Sequence, residues 1–316
     1  MPINSHRPSR WKRDIAESVD FFNEWFMEFA PDAYRRTRVE TVGTVMEAIR
    51  HTSDMRTISP DVLREHPGIL PTLRMSTSPP LARDRLVGLA YASKSLVESM
   101  ESGRLPPRMQ SRELNRHLAS ICVIVSRLLD DDILPWLKGQ KTPTQNERQR
   151  ASTVISDRLC GAVADPIIRN AQERRQLASI ESYLKARGYR QQAPPRGAVL
   201  RDMAPGTFTF RLNIPVGTGR TVNIPMDVVV QPTKLSRNRI PILIEAKSAG
   251  DYTNTNKRRK EEATKIRQLR DTHGKDVNLV LFLCGYFDSG YLGYEAAEGI
   301  DWVWEHRIDD LRKAGL

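Results

Sequence analysis

The 316-residue chain predicts an α/β (α+β) protein in which a mainly helical N-terminal region precedes a mixed central sheet flanked by helices. Three observations predict it. Apolar residues recur at helical spacing through the first half, and from Phe208 they alternate at strand spacing. Two apolar runs, Ile240–Ile244 and Val277–Cys284, then bracket a polar helix-forming stretch.

The elements follow in order. Phe22, Trp25, Phe26 and Phe29 fall at i, i+3, i+4 and i+7, one apolar stripe of a helix that Pro31 follows. Such a stripe reads as core and receives no function. Further helices are predicted over 33–50, 82–101 and 111–130, separated by Ser76-Thr77-Ser78-Pro79-Pro80 and Leu105-Pro106-Pro107. Asp130-Asp131-Asp132 reads as a solvated helix end, because consecutive acids on a helix point in different directions. Lys138 to Thr144 reads as a linker, dividing a helical domain, 1–145, from a second domain, 146–316.

In the second half Gln172–Arg187 predicts an amphipathic helix with Leu177, Ile180 and Leu184 on one face, stopped by Gly188. Phe208, Phe210 and Leu212 alternate with Thr209 and Arg211 as a half-buried strand. Gly217-Thr218-Gly219 turns the chain, and 221–230 return to complete a hairpin. A central strand over 240–247, a helix from Asn256 to Asp271 and a strand from Val277 to Cys284 complete the unit.

Composition narrows the function classes. A net charge of +11 and a pI near 9.8 point to a polyanionic partner, or to a basic proteome. Cys122, Cys160 and Cys284 are far apart and form no CxxC pair, which argues against zinc and disulfides. No apolar run reaches the ~18 residues of a membrane span, and the N-terminus lacks the apolar core of a signal peptide, so a cytoplasmic protein is expected. The six histidines show no metal-ligand spacing. No Ser/His/Asp set carries a nucleophile-elbow signature. The Gly-Tyr pairs at 285–286, 290–291 and 293–294 read as turns that place Tyr286, Tyr291 or Tyr294 near a nucleic acid.

The chemistry concentrates at Glu245-Ala246-Lys247, which closes the central apolar run, with Asp227 upstream in Pro225-Met226-Asp227. Alternate residues of a strand share a face, so Glu245 and Lys247 point together and Ala246 away from them. With the Asp227 strand alongside, two carboxylates and one ammonium converge. That set suits a Mg²⁺ ion with a lysine beside an attacking water, as phosphodiester cleavage requires. Lys247 is the only lysine with an acid two residues before it. The competing reading is a salt bridge on an edge strand, with Asp227 a solvated turn residue.

A second signal follows. Asn254, Asn256, Lys257, Arg258, Arg259 and Lys260 open the helix after the acidic strand. Helix N-termini attract phosphate, and bases there oppose the macrodipole, so a DNA-binding role is expected. Lys and Arg would hold phosphates, while Asn and Arg can read base edges. The competing reading is a solvated face balanced by Glu261 and Glu262.

This order of elements, with Asp227 and Glu245-Ala246-Lys247 in place, resembles the PD-(D/E)XK nuclease superfamily over about residues 170–290. Met226 departs from its literal Pro-Asp pair. The tracts KSAGDYTNTNKRRKEEATKIRQLR and FLCGYFDSGYLGYEAAEGIDWVWEHRIDDL are similar to the XamI-type group of type II restriction endonucleases. The resemblance implies a Mg²⁺-dependent endonuclease cutting double-stranded DNA at a specific site. Asp227, Glu245 and the Ala246 carbonyl would bind the metal, and Lys247 would orient or deprotonate the water. Glu181 would be an auxiliary carboxylate or an ordinary helix glutamate. The helical domain would clamp DNA or dimerise. Because one centre cuts one strand, a two-fold homodimer on a palindromic site is expected, with a DNA methyltransferase as genetic partner. Alternatives are a repair or methyl-directed nuclease on the same fold and a non-catalytic DNA-binding protein.

Overall fold

The computed structural model describes residues 2–139, 141–195, 197, 200–217, 221–234, 240–253 and 255–316, with backbone alone for 255–259. It divides into two compact units, one of Met1–Phe29 with Arg169–Leu316, the other of Ala30–Ile168. The linker expected before residue 146 is internal to the second of these. Lys141–Thr144 leads directly into a long helix, Gln145–Ala186.

Two long helices belong partly to each unit: α1 (Pro8–His51) and Gln145–Ala186, which is α8 in chain order. The helix expected to end before Pro31 runs through it, and α8 likewise contains Pro166. An internal proline forfeits one backbone hydrogen bond and costs roughly 3 kcal/mol. Packing beyond Pro31 offsets this: Ala33, Thr37 and Thr41 are buried, and Tyr34 O accepts Cys160 Sγ at 3.5 Å.

Among its described residues the unit of Ala30–Ile168 is helical apart from an isolated antiparallel bridge between Thr77 and Leu129. Between its long helices lie α2 (Pro60–Glu65), α3 (Leu70–Met75), α4 (Arg83–Ala90), α5 (Lys94–Glu101), α6 (Ser111–Leu128) and α7 (Trp136–Gly139). Val45, Leu63, Leu73, Leu86, Leu96, Ile121 and Ile155 share one apolar core. The helix expected over 82–101 is two, because Tyr91 adopts a left-handed conformation (φ 46°) that ends α4. Asp130, expected to be solvated, is buried and meets Arg158 Nη2 at 3.2 Å. Its neighbour Asp131 pairs with Lys138 at the surface.

The other unit contains a six-stranded sheet among the described residues, in spatial order β1 (Arg190–Gln191), β2 (Thr207–Val216), β3 (Val222–Gln231), β4 (Ile242–Ala249), β5 (Asn278–Gly285) and β6 (Asp301–Trp304). The pairs β2–β3 and β3–β4 are antiparallel, whereas β1–β2, β4–β5 and β5–β6 are parallel, so the sheet is mixed as expected. The predicted turn residues Thr218 and Gly219 lie outside the described residues.

Both sheet faces are covered. Leu243, Leu281 and Leu283 pack on one side with Ile266 and Leu269 of α9 (Thr255–His273) and Tyr291 and Leu292 of α10 (Ser289–Ala297). Ile242, Ile244 and Phe282 pack on the other with Ile180 and Leu184 of α8 and Leu311 near the C-terminus. That burial on two faces explains why β4 and β5 read as continuous apolar runs. The expected turns at 290–291 and 293–294 are instead in α10, whose N-cap Asp288 accepts Tyr291 N at 2.6 Å.

The aromatic stripe is only partly core. Phe22 is buried, Trp25 and Phe29 are half-buried, and Phe26 is exposed. Arg175 stacks over Phe21 and Trp25 at 5.0 and 4.9 Å and bonds Glu305 at 3.0 Å. Glycine is required at 285, where φ is +96° and a Cβ would collide with the Ala249 carbonyl. Gly285→Ala should lower stability by about 2 kcal/mol or more. Denaturant unfolding monitored by circular dichroism checks it, and an unaltered midpoint would contradict the packing described.

Candidate active site

Asp227 lies at an irregularity in the β2–β3 hairpin. Strand pairing holds at Phe210↔Val228 and Leu212↔Met226, but Arg211 between them is left-handed, with φ 52°. A non-glycine residue in that region is uncommon and strained. Its consequence shows in the side chains. Phe208, Val228 and Val230 face the α8 layer, whereas Leu212, Ile214 and Met226 face the α9 layer. Both strands therefore swap faces at Arg211 and Asp227.

On its other side β3 pairs with β4 from Val230↔Ile242 to Val228↔Ile244 and no further. Beyond that point the Asp227 side chain replaces the ladder: its Oδ2 accepts Ala246 N at 2.8 Å. Glu245 and Lys247 project together toward α9, as strand periodicity predicts, and their charged ends are 2.8 Å apart.

Two residues of α9 complete the cluster, and neither was anticipated. Glu262 Oε1 is 2.8 Å from Lys247 Nζ, and Lys265 Nζ donates to both oxygens of Glu245 at 2.6 Å. Glu262 is 1% exposed, so it is no balancing charge on a solvated face. Its spacing held the signal: Glu262 lies four and seven residues before Ile266 and Leu269, on the helix's apolar side.

The α8 helix contributes from the opposite face of the sheet. Gln176 Nε2 donates to Phe282 O at 3.1 Å and Lys247 O at 3.4 Å. Glu173, paired with Arg211 at 3.2 Å, is the α8 acid whose charge acts on Asp227. Glu181 pairs instead with Lys185 on its own helix at 2.6 Å.

Of the basic segment, Asn254 and the side chains of Asn256, Lys257, Arg258 and Arg259 lie outside the described residues. Lys260 is exposed and lines an open groove of about 470 Å³ with Asn223, Pro225, Thr264, Lys265 and Gln268. Tyr286, among the tyrosines considered, donates its hydroxyl to Asn23 Oδ1 at 2.9 Å.

Electrostatics set the acids apart. Burial, then the charge of Glu245, pushes the Asp227 carboxyl up, and the Ala246 amide and Lys247 only partly oppose this. Burial would also raise Glu245, but Lys247 and Lys265 outweigh it and hold that carboxyl below its usual range. For Lys247, burial favours the neutral amine, yet Glu245 and Glu262 reverse the balance and keep it charged.

No group of three or more acidic, histidine or cysteine side chains converges among the described residues. A Mg²⁺ ion needs fewer, since it keeps several waters and takes only one or two carboxylates. Asp227 and Glu245 offer hard oxygen donors, and a divalent cation would offset both the burial and the Glu245 charge that raise the Asp227 carboxyl. The donor set fits.

Glu295 of α10 is fully buried, and burial, then the Glu262 charge, raises its carboxyl to about 8, against the pull of Tyr291 and Lys247. The folded protein thus holds this proton more tightly than the unfolded chain. That stabilisation is complete below the ordinary value of 4.5 and is lost as pH climbs toward about 8. Glu295→Gln should flatten this part of the stability profile and gain on the wild type at alkaline pH. Urea titrations across the interval check it, and parallel profiles would refute the buried acid.

A model of the XamI restriction endonuclease family matches residues 53–304. The type II restriction enzyme SalI of Streptomyces albus G is 56% identical over 313 residues, covering 99% of this chain and 99% of that protein. The solved structure of protein VC1899 from Vibrio cholerae aligns over 80% of this chain and 55% of its own, at 12% identity and a TM-score of 0.30, too low to carry an argument. With most of the chain inside the family match and a relative alike along its full length, the chain belongs to the XamI restriction endonuclease family.

Proposed function

We propose that this restriction endonuclease cuts both strands of duplex DNA at a short palindromic site in a Mg²⁺-dependent, PD-(D/E)XK-type centre. Asp227, Glu245 and the Ala246 carbonyl hold the ion. The observation that carries this reading is the cleft where β3 leaves β4: Asp227 is bonded across it to Ala246, and Glu245 and Lys247 share one face beside it.

The bound ion supplies charge neutralisation at the scissile oxygens and a more acidic water. The chain's own groups do the rest. Asp227, fixed by the Ala246 amide, needs no reordering to bind. Lys247, held charged between Glu245 and Glu262, orients the attacking water and stabilises charge that develops on phosphate. Glu173 is favoured over Glu181 as the auxiliary carboxylate, because its partner Arg211 lies on β2 between the residues paired with Met226 and Val228, whereas Glu181 pairs with Lys185 on its own helix.

DNA is held through the basic start of α9, Asn254 and Asn256 to Lys260, and a net charge of +11 favours the encounter. Cutting both strands calls for a homodimer, with the helical unit clamping DNA or dimerising. Val39, Val42 and Met46, exposed at i, i+3 and i+7 of α1, give an apolar stripe suited to a second copy. The three cysteines are unpaired, in keeping with a reducing cytoplasm. A cognate DNA methyltransferase there would protect the host's own sites.

Asp227→Ala should abolish Mg²⁺-dependent plasmid cleavage in a folded protein, and cutting at the wild-type rate would overturn the metal assignment. Lys247→Ala should lose about two orders of magnitude or more in rate at nearly constant DNA affinity. Lost affinity that accounts for the lost rate would make it a phosphate contact. For Lys260→Ala, the log–log salt slope of DNA binding should fall by about one. An unchanged slope would remove Lys260 from the interface.

A further inference from the structure

Glu245 is 7% exposed and lies between two ammonium groups. They hold it differently. Lys247 divides itself between Glu245 Oε1 and Glu262 Oε1, each 2.8 Å away. Lys265 commits itself: both oxygens of Glu245 lie 2.6 Å from its Nζ, and Glu262 Oε2 is 3.8 Å off. Its ammonium thus covers the carboxylate from which a divalent ion would have to draw a ligand oxygen. A divalent ion approaching those oxygens would meet the positive charge of Lys265 at about hydrogen-bond distance from both of them, and that repulsion opposes its binding.

We propose that Lys265 is the resident counter-ion of Glu245, that divalent metal displaces it onto Glu262, and that this residue pair thereby sets the metal affinity of the centre. The proposal rests on the assignment of Asp227 and Glu245 as metal ligands. Its physical basis is the cost of a buried carboxylate whose charge its neighbouring cations do not fully meet. Without metal, Lys265 spares Glu245 that cost. With metal bound, Lys265 is a surplus cation beside a doubly charged ion and must find another acceptor.

Glu262 is placed to be that acceptor. It sits one helical turn before Lys265 on α9, so the two side chains are neighbours whatever Lys265 does at the other end. An Nζ movement of about 1 Å brings the 3.8 Å separation into hydrogen-bond range. Glu262 is almost inaccessible to water, so its charge must be met by lysines in either state. Metal binding would then move Lys265 from one carboxylate of the cluster to the other and strand no charge. The cost is affinity, because the ion must first move a bonded ammonium.

The test is direct binding of Mn²⁺ to the full-length protein without DNA, by titration calorimetry, with circular dichroism to establish folding. Lys265→Met and Lys265→Gln should each bind Mn²⁺ about tenfold tighter or more, and Glu262→Gln should bind about tenfold weaker. Metal-free Lys265→Met should also melt below the wild type, a gap that narrows in saturating Mn²⁺. Unchanged or weaker binding in the Lys265 variants, with Asp227→Asn abolishing binding, would overturn the counter-ion and leave the metal site standing. Binding indifferent to Asp227→Asn would overturn both. Where neither Lys265 variant folds, Glu262→Gln decides, and unchanged affinity overturns the proposal.

Discussion

The structure around the site depends on keeping Glu245 ionised while buried. A carboxylate taken from water into a sheet interior loses several kcal/mol of solvation unless cations replace it. Here β4 supplies one cation, Lys247, and α9 supplies the other, Lys265. The second supply fixes the architecture, because α9 must lie across β4 in a register that delivers Lys265 to Glu245 and Glu262 to Lys247. Ile266 and Leu269 pack against the same sheet face, so apolar burial and charge pairing require one and the same placement of the helix. Apolar contact alone would tolerate a small slide of α9, whereas four charges spaced at 2.6–2.8 Å do not.

A second constraint comes from the opposite side of the cleft. An undistorted β3 would give Met226 and Val228 the same face, but they face opposite layers, and the left-handed Arg211 opposite marks the change. The distortion frees the strand edge there, so the Ala246 amide bonds to a side chain, Asp227, and not to a neighbouring strand. Strain at Arg211 and an interrupted ladder are costs to the fold, of order 1–3 kcal/mol for such a residue. Their structural return is a carboxylate held beside Glu245 in spite of the repulsion between them.

The sheet was legible in the sequence because its signals are local. Alternation marked β2, and continuous apolar runs marked β4 and β5. Spacing of two placed Glu245 and Lys247 on one face. What escaped depends on distant partners. Pro31 is a local helix breaker, overridden by the packing of Ala33, Thr37 and Thr41. Asp130 looked solvated because Arg158, its counter-charge, is 28 residues away. Strand β6 is four residues long, too short to declare a period, and gains its identity by lying beside β5. Glu262 and Lys265 were hidden differently. The basic run before them dominates the local composition and masks the spacing that puts Glu262 on one helix face with Ile266 and Leu269. A glutamate at an apolar-face position is itself a signal, since burial of that charge demands a partner.

The same pairing decides what Lys247 can do. The two roles the sequence leaves open, orienting the water or deprotonating it, require opposite charge states. A general base must spend part of its time as a neutral amine, and burial by itself would favour that form. Two carboxylates at 2.8 Å reverse the effect and hold the ammonium charged well beyond the range in which a base operates. In the centre proposed above, such an ammonium would act through its fixed position and its charge and not as the acceptor of the water's proton. Glu262 matters to this in a way that Glu245 alone does not. Were a metal ion to draw on the Glu245 oxygens, the hold of Glu245 on Lys247 would weaken, and Glu262, which lies on α9 away from Asp227 on β3, would still hold the ammonium.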